Sequence, residues 1–138
     1  MALERWAGAR TDNGIASGLA SWPDSARITW LALRTLRAVI TVPIAEELAC
    51  RGFLIRRVIS RDFELLSPRS FTFLSVLVSS VAFGLLHGDR WLAGIVAGLL
   101  YAVAFLRRGR IGDAVAAHAT TNALLAGWVL IRGDWYMW

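Results

Sequence analysis

Glu46, Glu47, Arg51, His87, His118 and Asn122 are polar side chains set within the most apolar stretches of this chain. The two glutamates and the arginine share the run Thr41-Val42-Pro43-Ile44-Ala45-Glu46-Glu47-Leu48-Ala49-Cys50-Arg51-Gly52-Phe53-Leu54. An ionised group in apolar surroundings is costly unless it is paired or used. On a helix, Glu47 and Arg51 lie four residues apart on one face, with the glutamate N-terminal, the better order for a pair. Glu46 points about 100° away around the same helix. Glu47 therefore has a partner within its own helix and Glu46 has none. An unpaired carboxylate in a dry site can serve as a general base. The plainer alternative is a short amphipathic helix end carrying a surface ion pair.

The chain has two histidines. His87 closes Phe83-Gly84-Leu85-Leu86-His87, and His118 opens His118-Ala119-Thr120-Thr121-Asn122. His118 and Asn122 are four apart, so their side chains share a helical face. Singly, each reads as an interhelical hydrogen-bonding residue. Together with the glutamates they place ionisable groups on three helical segments, and such groups inside a membrane mark a candidate site.

The elements that must position them are apolar helices. Of 138 residues 57% are hydrophobic, which exceeds the share usual in soluble domains and points to a membrane protein. Seven tryptophans fit interfacial anchoring. The net charge is +5 and every basic residue is arginine. These arginines flank apolar runs instead of forming a patch with interleaved aromatics, so they read as an orientation signal and no nucleic-acid partner is expected. The single cysteine, Cys50, excludes an intrachain disulfide and reads as a small core residue.

Residues 1–27 read as a polar or interfacial leader, and residues 28–138 as one domain. Asp24 or Ser25 is the expected cap of the first long helix. That helix runs from Ile28 to about Ile59, with Pro43 as a kink or restart. Further apolar runs cover Phe71 to Leu86, Trp91 to Leu106 and Ile111 to Ile131, and Arg132 to Trp138 is an aromatic tail. Gly94 and Gly98, four apart, form a small face suited to close helix packing. The expected fold is all-α, a polytopic bundle of about four membrane helices. Arg56, Arg57, Arg61, Arg69, Arg107, Arg108 and Arg110 fall on one side of it, and Arg90 lies in the opposite connector. The first side is then cytoplasmic and both tails lie on the other. The nominal depths of Glu46, His87 and His118 differ, so these groups meet only if helices tilt, break at Pro43 or extend past Gly88.

Glu-Glu-x-x-x-Arg (Glu46 to Arg51), Phe-x-x-x-His (Phe83 to His87) and His-x-x-x-Asn (His118 to Asn122), in this order on successive apolar helices, resemble the CPBP family. This is the CAAX-protease and bacteriocin-processing group of intramembrane endopeptidases, also called Abi. The resemblance covers about residues 28 to 131. The wording around the motifs is similar to a subgroup associated with bacterial exosortase sorting systems. The resemblance implies further membrane helices before the Glu-Glu stretch. It also implies a mechanism. Glu46 activates a water, His87 helps to hold that water, and His118 and Asn122 stabilise the oxyanion, while Glu47 and Arg51 hold the helix and tune Glu46. It implies a bacterial inner-membrane protein acting on a protein or peptide substrate, with protein-sorting components as partners besides the bilayer. No cofactor is required by this reading. Family members are commonly called metalloproteases, and Glu46, His87 and His118 would also satisfy a zinc site. There is, however, no His-Glu-x-x-His helix, so glutamate catalysis without metal is the expectation. The alternatives are a non-catalytic immunity or assembly factor on the same fold, and a proton pathway through Glu46 and the histidines.

Overall fold

The computed structural model describes residues 14–138. Thirteen residues of the expected leader lie outside it. Among the described residues all regular structure is helical. A short helix, α1 (Ile15–Ala20), precedes a long one, α2 (residues 24–59). Then come α3 (Phe73–Leu85), α4 (Trp91–Arg108) and α5 (Ile111–Arg132).

The start of α2 differs from the expectation. Pro23 occupies the N-cap and makes no side-chain cap bond, and Asp24 is the first helical residue. Proline's fixed φ suits a helix entrance. Asp24 pairs with Arg27 at 2.7 Å in the first turn, where a carboxylate also favours the helix dipole.

Pro43 does not break α2; the helix widens around it. The segment Arg37–Thr41 is π-helical, Val42–Glu47 is α-helical, Leu48–Leu54 is π-helical again, and Ile55–Ile59 closes as α-helix. The Val42 N–H reaches back to Arg37 O, and the Ile55 N–H to Cys50 O. A proline removes one helical donor and its ring crowds the carbonyl four residues back, and a wider turn relieves that conflict. Single π-turns of this kind recur at functional sites.

The remaining helices have local causes. Thr72 caps α3 in a reciprocal box with Ser75, whose hydroxyl accepts the Thr72 N–H at 2.9 Å. Gly109 and Gly133, both at positive φ, end α4 and α5. Residues Gly88–Arg108 and Ile111–Arg132 are each long and apolar enough to cross a membrane, and α3 is a shorter apolar helix.

The bundle is arranged for lipid. Leu33, Leu36, Ile40, Ile44 and Leu48 form an exposed stripe along α2. Its buried side carries Pro43, Glu47, Cys50, Arg51 and Ile55. Small or hydroxyl residues fill much of the interior, among them Ser75, Ser79 and Ser80 of α3 and Gly94, Gly98 and Ala102 of α4. Lipid supplies no hydrophobic drive for helix association, so close backbone packing and interhelical hydrogen bonds must hold the bundle. The Gly94/Gly98 face does meet α3, and Gly84 completes it. A Cβ on Gly94 would lie 2.8 Å from Gly84 Cα, and one on Gly84 would lie 2.6 Å from Trp91 O.

The connectors alternate between two ends. Gly109 lies so close to Arg69 that a Cβ there would meet Arg69 Cγ at 2.7 Å. At the other end Arg90 Nη2 donates to Tyr136 O at 3.1 Å, and the Arg34 guanidinium stacks over the rings of Trp30 and Trp138.

Candidate active site

Glu47 is the centre of the site. It lies on the buried face of α2, and its side chain is fully inaccessible, as is that of Arg51. Arg51 Nη1 donates to Glu47 Oε1 at 3.3 Å. Arg51 Nε lies 3.1 Å from Oε2, near enough for ion pairing though not aligned as a hydrogen bond. The guanidinium also reaches α4, where Nη2 donates to Gly98 O at 2.7 Å. Two charges in a dry interior persist only with such pairing. The pair expected from the four-residue spacing is present, and Glu47 has a second partner. His118 Nδ1, from α5, lies 3.0 Å from Glu47 Oε1. A carboxylate accepts only, so Nδ1 carries the proton of that bond and Nε2 is turned the other way.

Nε2 faces Glu46. It lies 3.9 Å from Glu46 Oε2, beyond hydrogen-bond reach. That oxygen is buried and has no hydrogen-bond partner among the described residues. The Glu46 side chain as a whole is 24% exposed, so the carboxylate sits at the edge of the buried cluster. The depth mismatch expected between α2 and α5 is closed by α5 packing along residues 37–54 of α2.

Aromatic rings fix the imidazole. Tyr101 stacks on His118 with centroids 4.8 Å apart and planes 15° from parallel. Phe83 meets the His118 ring edge-on at 5.3 Å and carries the Arg51 guanidinium over its own ring at 4.5 Å. Sequence reasoning missed Tyr101, although Gly94, Gly98, Tyr101 and Phe105 recur at helical spacing on one face of α4. It also missed Ser79, whose hydroxyl donates to Cys50 O at 2.9 Å and ties α3 to the second π-segment.

The remaining candidates each bond a backbone carbonyl. Asn122 shares the His118 face, and its Nδ2 donates to Ala38 O at 2.8 Å. His87 follows the end of α3 and its Nδ1 bonds Phe83 O at 2.8 Å, with its ring 4.6 Å from that of Phe83. Phe83 is thus the neighbour common to both histidines. The structure gathers Glu46, Glu47, Arg51 and His118 directly. His87 joins the cluster through Phe83, which its ring and that of His118 both meet.

A catalytic zinc needs three protein ligands and an open position. Glu46 Oε2 and His118 Nε2 are two oriented donors. Among the described residues no group of three His, Cys, Asp or Glu side chains is placed to hold a metal ion, so Glu46, His87 and His118 are not assembled as a ligand set.

The site residues run from Glu46 to Asn122. A comparison with protein families matches residues 28–124 to the type II CAAX prenyl endopeptidase Rce1-like family. The chain belongs to that family. As an Rce1-like chain it is an integral membrane protein on a helical membrane fold and a peptidase of the CAAX type. The match takes in α3 and α4 entire, nearly all of α2 and the first part of α5, and so every residue of the site. Neither the comparison with curated proteins nor that with solved structures gave a match.

Proposed function

We propose that this chain hydrolyses a peptide bond of a membrane-associated or C-terminally processed protein, with a water activated by Glu46. The observation that carries this reading is the Glu46 carboxylate. Its Oε2 is buried, has no hydrogen-bond partner among the described residues and faces the imidazole of His118 across 3.9 Å. Glu46 takes a proton from the water as its oxygen attacks the scissile carbonyl. The carbonyl oxygen gains negative charge, and Asn122 stabilises it together with His118 in its imidazolium form, whose Nε2–H is free to donate while Nδ1–H is held by Glu47. The intermediate then collapses. The C–N bond breaks, and Glu46 returns the proton to the leaving amine. His87 helps to hold the water. Glu47 and Arg51 keep His118 and the α2 backbone in place. The setting is the inner membrane of a bacterium, with components of a protein-sorting system as partners.

The test is processing of candidate membrane substrates in cells, with wild type and Glu46→Gln at matched expression. Gln keeps the shape and removes the base. Clipping by wild type should fall by roughly 10²–10⁴-fold in the variant, with membrane insertion unchanged. Wild-type cleavage by Glu46→Gln refutes Glu46 as the base.

A further inference from the structure

Asn122 is held by a carbonyl that Pro43 leaves without a backbone donor. In an α-helix Ala38 O would accept from the N–H of Val42. That N–H instead donates to Arg37 O, five residues back. In this wider register the donor for Ala38 O is residue 43, and residue 43 is a proline, which has no N–H. A carbonyl with no donor is costly inside a bilayer, so another group must satisfy it. Asn122 Nδ2 does so at 2.8 Å, from a residue 84 positions away.

We propose that Pro43 is a positioning residue for Asn122. By withholding a donor from Ala38 O, it creates a fixed acceptor on α2 that clamps the Asn122 amide. An amide NH₂ has two hydrogens. With one committed to Ala38 O, the plane of the group is set and the second hydrogen points in one direction. A donor meant for a developing oxyanion must be oriented before the charge appears, which is what the clamp provides. The buried proline in the middle of α2, otherwise unfavourable in a helix, then has a reason to be there. The catalytic consequence rests on the peptidase reading above; the clamp itself rests on the backbone register alone.

The experiment is a thermal-stability cycle on the full chain in lipid nanodiscs, using wild type, Pro43→Ala, Asn122→Ala and the double variant. In the wild-type background Asn122→Ala strips Ala38 O of its donor and should lower the unfolding midpoint. In the Pro43→Ala background residue 43 supplies an N–H, so Asn122→Ala should lower the midpoint far less. Pro43→Ala alone should keep or raise the midpoint, yet reduce kcat by roughly 10²-fold through misplacement of the amide, with KM little changed. Equal midpoint losses in both backgrounds overturn the clamp. Full kcat in Pro43→Ala overturns its positioning role. If the wild type cleaves nothing, the peptidase reading fails, and the stability cycle still decides the clamp. Pro43→Ser, which also carries an N–H, repeats the cycle should Pro43→Ala fail to fold.

Discussion

Glu47 Oε1 and His118 Nδ1 lie 3.0 Å apart, although 71 residues separate them in the chain. The same carboxylate holds Arg51, and Arg51 in turn holds the Gly98 carbonyl at 2.7 Å. One buried glutamate therefore joins α2, α4 and α5. It fixes the direction of the imidazole that faces Glu46. The glutamate next to the proposed base is thus both a fold contact and a site contact.

Removing the charge of Glu47 separates those roles. Glu47→Gln leaves Arg51 buried beside a neutral amide, and breaking one side of a buried pair costs about 3–5 kcal/mol. Replacing both residues by apolar ones of similar volume, Glu47→Leu with Arg51→Met, should return most of that stability, because no uncompensated charge remains. Activity should not return, since Nδ1 of His118 has lost its acceptor. Unfolding midpoints and cleavage rates of the two variants, beside the wild type, check this. Recovery of cleavage in the double replacement would show that Glu47 has no part in orienting His118.

Glycine substitutions should sort by what a methyl group would meet. At Gly98 a Cβ falls 3.1 Å from Arg51 Nη2 and 3.2 Å from Ser80 Cα. Gly98→Ala should destabilise by about 1–3 kcal/mol, as overpacking does, and should disturb the Arg51 bond to the carbonyl beside it. Gly127 has nothing within 4 Å of its Cβ position. Gly127→Ala should be neutral or stabilising by up to about 1 kcal/mol. Thermal melts of the two variants side by side give the comparison, and equal losses would contradict the close α3–α4 approach.

The contrast between these sites shows what the sequence could and could not convey. The Glu47–Arg51 pair, the common face of His118 and Asn122, and the Gly94/Gly98 packing face all follow from helical spacing, and all are present. The partners across helices were hidden. Two of them, Gly98 O and Ala38 O, are backbone carbonyls, and a sequence does not mark which carbonyl is short of a donor. Pro43 could be read as a kink, but a proline in a helical run is compatible with either a break or a wider turn, and the sequence does not say which. Asp24 and Ser25 carry capping side chains, yet Pro23 takes the N-cap position itself. His87 has the right spacing after Phe83, and that spacing lets its ring nitrogen fold back on the Phe83 carbonyl.

The orientation of the bundle can be tested at its two ends. The connector holding Arg61 and Arg69 meets Gly109, beside Arg107, Arg108 and Arg110, so these arginines gather at one end. The Gly88–Arg90 turn and the tail at Tyr136 meet at the other, through Arg90. Cytoplasmic connectors carry the excess of basic residues. The first end should therefore face the cytoplasm, with the aromatic tail across the membrane. Single cysteines at Ser67 and Asp134, in a Cys50→Ala background, probe the two ends with a membrane-impermeant thiol reagent. Ser67 is exposed in the first connector. Asp134 begins the tail and accepts a hydrogen bond from Trp128 Nε1 at 2.9 Å. In intact cells the cysteine at 134 should label and the one at 67 should label only after the membrane is opened. Labelling of both from the same side would mean that the helices between them do not cross the bilayer an odd number of times. Labelling of 67 alone in intact cells would keep the helix count and invert the orientation, placing the arginine-rich end outside against the charge rule.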